Sequence, residues 1–135
     1  IFRVEIADSL PAINGDARRI AQVIDNLIDN STKYAPGAII TIKAYPEENR
    51  LIMEYSDDGP GIDDKYLSLI FSRFFRVPEN SHGVRGSGLG LSICKQIIES
   101  HNGEMSIFST KGKGISFRIA LPRDANPAKK TKGGN

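Results

Sequence analysis

The chain has no tryptophan, one cysteine and two histidines in 135 residues. A lone cysteine, Cys94, forms no intramolecular disulfide, so this is no disulfide-stapled scaffold and reads as a protein of a reducing compartment. Cys94 lies in the apolar run LSICKQII, where a free thiol is more often core than reactive. No apolar stretch approaches the ~18–20 residues of a membrane span, and no signal-peptide pattern is present. No GxxxxGK[ST] run occurs, which excludes a P-loop, and the HRD and DFG signatures of the Ser/Thr/Tyr kinase fold are absent too.

What is present is ordinary in amount and informative in pattern. Apolar content of 39% and charged content of 25% fit one globular domain, large enough to bury about two-thirds of its unfolded surface. The net charge of +2 is misleading. Lys129, Lys130 and Lys132 sit in the C-terminal DANPAKKTKGGN, and without them the body carries about −1 by charge counting. Residues 124–135 hold no apolar side chain larger than Ala and read as a disordered tail, leaving 1–123 as the domain. The basic balance is therefore poor support for nucleic-acid binding. Opening in mid-strand with IFRVEI, the chain reads as a fragment of a longer protein.

FRVEIA alternates like a half-buried strand. Asn14-Gly15-Asp16 is a turn ending in an N-cap, and a helix over 17–34 carries its core stripe on Ile20, Val23, Ile24, Leu27 and Ile28. Ala35-Pro36-Gly37 stops it. Strands over 38–45 and 50–56 flank a hairpin turn at Pro46-Glu47-Glu48-Asn49. Residues 63–75 read as a short helix and turn. A second long helix over 89–101 points Leu89, Ile93, Ile97 and Ile98 inward and ends at Asn102-Gly103. Strands over 104–110 and 114–121 form a second hairpin. The expected fold class is an α+β two-layer sandwich, with about three helices on one face of a mixed, mostly antiparallel five-stranded sheet.

Three elements carry the chemistry: NLIDNSTKY at Asn26–Tyr34, DDGPGI at Asp57–Ile62, and GSGLGLS at Gly86–Ser92. Asn26, Asn30 and Lys33 share one helix face, about 100° round from the apolar stripe, which suits a pocket wall as well as a plain polar flank. Asp57 follows a strand and opens DxGxG. An ionised carboxylate only accepts hydrogen bonds, so it pairs with adenine's exocyclic amine and rejects guanine's carbonyl. Gly59 and Gly61 let the backbone approach the base. Gly86, Gly88 and Gly90 lead into a helix whose first amides can bind polyphosphate. Their spacing is GxGxG, without the βαβ context of a dinucleotide fold.

The order and spacing of these elements resemble the catalytic, ATP-binding domain of sensor histidine kinases. This is the Bergerat fold, shared with gyrase, Hsp90 and MutL, and the likeness runs from about Phe2 to Pro122. The resemblance implies ATP and Mg²⁺ as cofactors. It implies that Asn30 lends its amide oxygen to Mg²⁺, that Lys33 offsets phosphate charge, and that Tyr34 packs near the adenine. Ile62, Ser87, Leu89 and Leu91 then complete the nucleotide-binding set. Relatives that hydrolyse ATP carry Glu where this chain has Asn26, and an amide cannot act as a general base near pH 7. That favours phosphoryl transfer over hydrolysis. A self-contained ATPase, a related protein-serine kinase and a non-catalytic binding module are the rival readings.

Phe71, Phe74 and Phe75 resemble the family's phenylalanine box, anchoring a lid over 77–85. Arg76 could reach the phosphates, as could Arg73 and Arg85; a solvated arginine is the competing reading. KGKGISF resembles the last glycine box, with Ile115 and Ser116 where the family tends to have Thr. His82 and His101 lack the H-E/D context of a phosphoacceptor. The expected partners are therefore a histidine-bearing dimerisation domain upstream of Ile1 and a response-regulator receiver domain, with no nucleic acid. The isolated domain is expected to be monomeric and cytoplasmic, whether or not its parent is membrane-anchored.

Overall fold

The computed structural model describes residues 1–72, 74–75, 90–109 and 111–124. Their order is β1 (Phe2–Ile6), α1 (Ala17–Tyr34), β2 (Ile40–Glu47), β3 (Arg50–Asp57), a 3₁₀ turn (Asp64–Tyr66), α2 (Gly90–Ser100), β4 (Glu104–Ser109) and β5 (Ile115–Pro122). One five-stranded sheet runs β1-β2-β3-β5-β4, parallel at β1–β2 and antiparallel elsewhere. This is the expected α+β sandwich, except that the third helical element is a single 3₁₀ turn among the described residues.

Asp16 caps α1 as its position suggests, its carboxylate accepting from the amides of Arg18 at 2.9 Å and Arg19 at 3.4 Å. Val23 and Leu27 bury fully, and Ile20 and Ile28 pack partly beside them. Opposite them α2 buries Cys94, Ile97 and Ile98, and the sheet supplies Ile40, Tyr55, Phe117, Ile119 and Leu121. Each such side chain contributes roughly 1.5–3 kcal/mol by leaving water. At the end of α2, Asn102 takes the left-handed conformation (φ 60°), and Gly103 returns its amide to Ile98 at 2.9 Å.

Two expectations need correction. The first hairpin turns on two residues only, Glu48 and Asn49 (φ 51° and 63°), and Pro46 and Glu47 belong to β2. Pairs alternate along such a ladder, so Pro46's nitrogen faces away from β3, and β1 pairs only as far as Ala44. The strand tolerates proline there. β1 in turn is not half-buried: all five residues are exposed, with Phe2 at 56%, Val4 at 60% and Ile6 at 54%. They pair with Ile40, Ile42 and Ala44 and so face the helical side. As an edge strand, β1 lies beyond the helices that roof its neighbours.

Candidate functional site

The polar face of α1 meets the start of α2. Asn26 Nδ2 donates to the Gly90 carbonyl across 3.5 Å, and Asn30 Oδ1 lies 4.0 Å from where a Cβ on Gly90 would stand. Helix spacing puts both amides on one side, and α2 packs along α1 with Cys94 Sγ 3.7 Å from the Val23 carbonyl. Burial pushes the Cys94 thiol up to about 11, against a smaller lowering by Asn26, so it is an inert core group. Lys33 points along the same flank, but its Nζ pairs with Asp29 at 2.9 Å. Tyr34 is half-buried at the helix end.

Asp57 closes β3 at 8% exposure and is held from two sides. Its Oδ2 accepts from Ser31 Oγ at 2.7 Å and its Oδ1 from the Gly59 amide at 3.0 Å. Behind Ser31 stands Tyr55, whose hydroxyl lies 2.7 Å from Ser31 Oγ and 3.0 Å from the Leu27 carbonyl. Burial pushes the Tyr55 phenol up to about 12, so it stays a donor. Gly59 is glycine for space, since a Cβ there would come 2.4 Å from the Ala35 Cβ. Gly61 takes the left-handed turn at φ 67°. Asp58 departs to another task, accepting from the Ile39 amide at 2.7 Å.

The loop after Asp57 is stitched to the second hairpin. The Ile62 amide donates to Ser109 Oγ at 2.9 Å, and Ser109 donates to the Gly114 carbonyl at 2.9 Å. A Cβ on Gly114 would lie 2.0 Å from the Asp57 carbonyl, so only glycine lets β5 come this close. Ile115 pairs with Asp57 on the helical face, whereas Ser116 pairs with Ser56 on the other face. A contact from Ser116 to the carboxylate's surroundings is therefore not made. Phe71 packs on Phe117 (centroids 6.5 Å) and Phe75 on Tyr66 (5.9 Å). Phe74 instead is 63% exposed at φ 65°.

The structure thus brings Asn26, Asn30 and Gly90 together on one side of α1, and sets Asp57 with Gly59 against Ser31 on its buried side. Arg73, Arg76, Arg85, Gly86, Ser87, Gly88, Leu89, His82 and the lid over 77–85 lie outside the described residues, as do residues 125–135. Sequence reasoning missed Ser31, Tyr55 and Ser109. Ser31 had a signal: it falls four residues after Leu27, where the apolar stripe should continue. Ser109 had none. Among the described residues no cluster of three or more His, Cys, Asp or Glu could hold a metal ion, and no helix is long and apolar enough to cross a membrane.

A family model described as histidine kinase-, DNA gyrase B-, and HSP90-like ATPase matches residues 15–125. The sensor protein KdpD of Clostridium acetobutylicum is 36% identical over 125 residues, 91% of this chain and 14% of KdpD. The sensor protein SrrB of Staphylococcus aureus is 43% identical over 110 residues, 80% of this chain and 19% of SrrB. The chain thus spans between a seventh and a fifth of the length of these curated relatives. Among solved structures, the mycobacterial sensor histidine kinase MprB superposes with a TM-score of 0.78 at 29% identity, covering 90% of this chain and 82% of that one. The catalytic domain of the histidine kinase ThkA follows with a TM-score of 0.75 at 28% identity, covering 90% and 79%. Full-length ShkA, solved with AMPPNP, shares the fold with a TM-score of 0.78 at 24% identity, over 90% of this chain and 25% of that one.

Proposed function

Because the chain belongs to the histidine kinase-, DNA gyrase B- and HSP90-like ATPase family, we propose that it is the ATP-binding catalytic domain of a two-component sensor histidine kinase. It binds Mg·ATP and presents the γ-phosphate to a histidine on a separate dimerisation domain of a longer protein. A response-regulator receiver domain then takes the phosphoryl group. The need for ATP supports a cytoplasmic setting, whether or not the parent is anchored in a membrane. The two sensor-protein relatives support this branch of the family over the gyrase-like and Hsp90-like ones.

In this reading Asp57 takes the adenine amine, while Gly59, Gly61 and Ile62 shape the loop beneath the base and Tyr34 packs near it. The amides of 86–91, ending at Gly90 and Leu91 on the first turn of α2, cradle the phosphates with Arg76. Lys33 reaches them by leaving Asp29, an exposed i,i+4 partner worth only about 0.3–0.5 kcal/mol. Asn30 fits a magnesium ion: a neutral amide oxygen facing the start of α2 is the hard, sparse protein share that Mg²⁺ accepts beside phosphate oxygens. Bound there, the ion would neutralise phosphate charge.

The single observation that carries the kinase reading is Asn26. Its amide sits against Gly90 at the start of α2, and relatives that hydrolyse ATP carry a Glu at this helix position. Nor is an acceptor at hand among the described residues. The His101 ring is tied into the α1–α2 junction, Nε2 accepting from the Asp16 amide at 3.0 Å and Nδ1 lying 2.8 Å from the Ile97 carbonyl. Phosphoryl transfer is mostly positioning and charge neutralisation, so an acceptor on another domain is chemically sound. The test is γ-labelled ATP given to the full-length parent. Acid-labile, base-stable label on a histidine outside this chain is expected, and its absence from an active, ATP-binding parent would refute the assignment.

A further inference from the structure

Position 31 is the anomaly of α1. Val23, Leu27 and Ser31 follow one another at i, i+4 and i+8 on the buried face, and the third is polar. A serine at 4% exposure in an apolar stripe costs free energy unless its hydroxyl is bonded. Ser31 is bonded on both sides. Tyr55, at 1% exposure and packed on Phe117 (centroids 6.4 Å), directs its hydroxyl at Ser31 Oγ, and Ser31 directs its own at Asp57 Oδ2.

The direction of this chain of bonds is fixed by chemistry. A carboxylate only accepts, so the Ser31 proton must point to Asp57. The Tyr55 proton is then shared between Ser31 Oγ and the Leu27 carbonyl, both within 3.0 Å. Each donor polarises the next, which strengthens the bond at the carboxylate. The Gly59 amide meanwhile holds Oδ1. With both oxygens engaged, the carboxylate plane is held against turning, while each oxygen keeps a further lone pair for a ligand.

We propose that Ser31 and Tyr55 are positioning residues for adenine recognition, holding the Asp57 carboxylate in the orientation that accepts adenine's amine and repels guanine's carbonyl. The inference rests on Asp57 as the reader of the base. Without Ser31, Asp57 can rotate to satisfy Oδ2 elsewhere, and both the attraction for adenine and the penalty against guanine weaken. A merely structural serine would alter stability and leave the ATP-to-GTP preference alone.

The experiment is calorimetric titration of this chain with ATP and with GTP, for the wild type and for Ser31→Ala, Ser31→Thr, Tyr55→Phe, Asp57→Asn and the Ser31→Ala/Asp57→Asn double variant, with folding checked by circular dichroism. Ser31→Ala should weaken ATP binding about tenfold, the scale of one buried bond to a charged group, and narrow the ATP-to-GTP ratio. Ser31→Thr, which keeps the hydroxyl, should recover most of the loss. Tyr55→Phe removes only the polarising donor and should cost about threefold. In the Asp57→Asn background, Ser31→Ala should add little, because the bond it serves is already altered. A weakened Asp57→Asn beside unchanged ratios in Ser31→Ala and Tyr55→Phe would overturn the proposal while leaving the adenine reader intact. An Asp57→Asn variant that binds ATP like the wild type would overturn the reader itself, and this inference with it. Should Ser31→Ala fail to fold, Tyr55→Phe decides the matter alone.

Discussion

Two sides of α1 differ in how firmly they are held. On the buried side, Tyr55, Ser31, Asp57 and the Gly59 amide form a series of bonds between 2.7 and 3.0 Å. On the polar side, Asn26 reaches Gly90 across a marginal 3.5 Å, and Lys33 is occupied by a half-exposed partner. In the proposed function the first side meets the base already fixed, and the second holds bonds weak enough for Mg·ATP to replace. Such a division would suit rigid recognition of one base beside a γ-phosphate that passes to a separate acceptor.

The largest expected effect falls on the rigid side. Asp57→Asn should cost about 3 kcal/mol of ATP binding, over a hundredfold in Kd, with the fold retained, as calorimetry and circular dichroism would show. Next in size is a pair of glycine substitutions that sets one side against the other. Gly59→Ala drives a methyl into Ala35 and should cost about 2 kcal/mol of stability in thermal unfolding. Gly90→Ala has room at 4.0 Å and should leave stability unchanged or raise it by about 0.5 kcal/mol. Equal costs would erase the contrast between the two sides.

Asn30→Ala probes the polar side. It should remove most of whatever gain in ATP affinity magnesium gives the wild type, while adenosine, measured without magnesium, still binds. Equal loss of both ligands would make Asn30 a structural residue. The smallest effect is on stability at alkaline pH. Cys94 holds its proton to about 11 in the folded chain against 9.0 for an unperturbed thiol, and Tyr55 to about 12 against 10.0 for a free phenol. Both folded values are raised, so the stability they confer is whole below pH 9 and falls as pH rises through 9–12. At pH 9.5 the Cys94 share of that loss amounts to about 1 kcal/mol. Urea unfolding of Cys94→Ala should lack this slope between pH 9 and 11.

Much of the fold was legible because local signals agreed with tertiary packing. The Asp16 cap, the Val23 and Leu27 stripe, and the glycine that closes each loop act within a few residues of themselves. β1 was misread because alternation reports which face a side chain takes, not whether a helix roofs it. The hairpin was misplaced because Pro46 looks like a turn residue until the short reach of β1 frees its nitrogen. In the site, Asp57, Asn30 and Asn26 stood out by motif. Ser31 and Tyr55 did not, because their roles exist only once β3 lies beside α1. Ser31 could have been caught as the polar break in an apolar stripe.

In the proposed function the site holds ATP without activating water, because Asn26 stands where a general base would be needed. ATP hydrolysis by the isolated chain, in saturating Mg·ATP, tests it most directly. ATP binding with no steady turnover is expected. Turnover near ~1 s⁻¹, within the ordinary range for enzymes and abolished by Asn30→Ala, would contradict it and make the protein a self-contained ATPase.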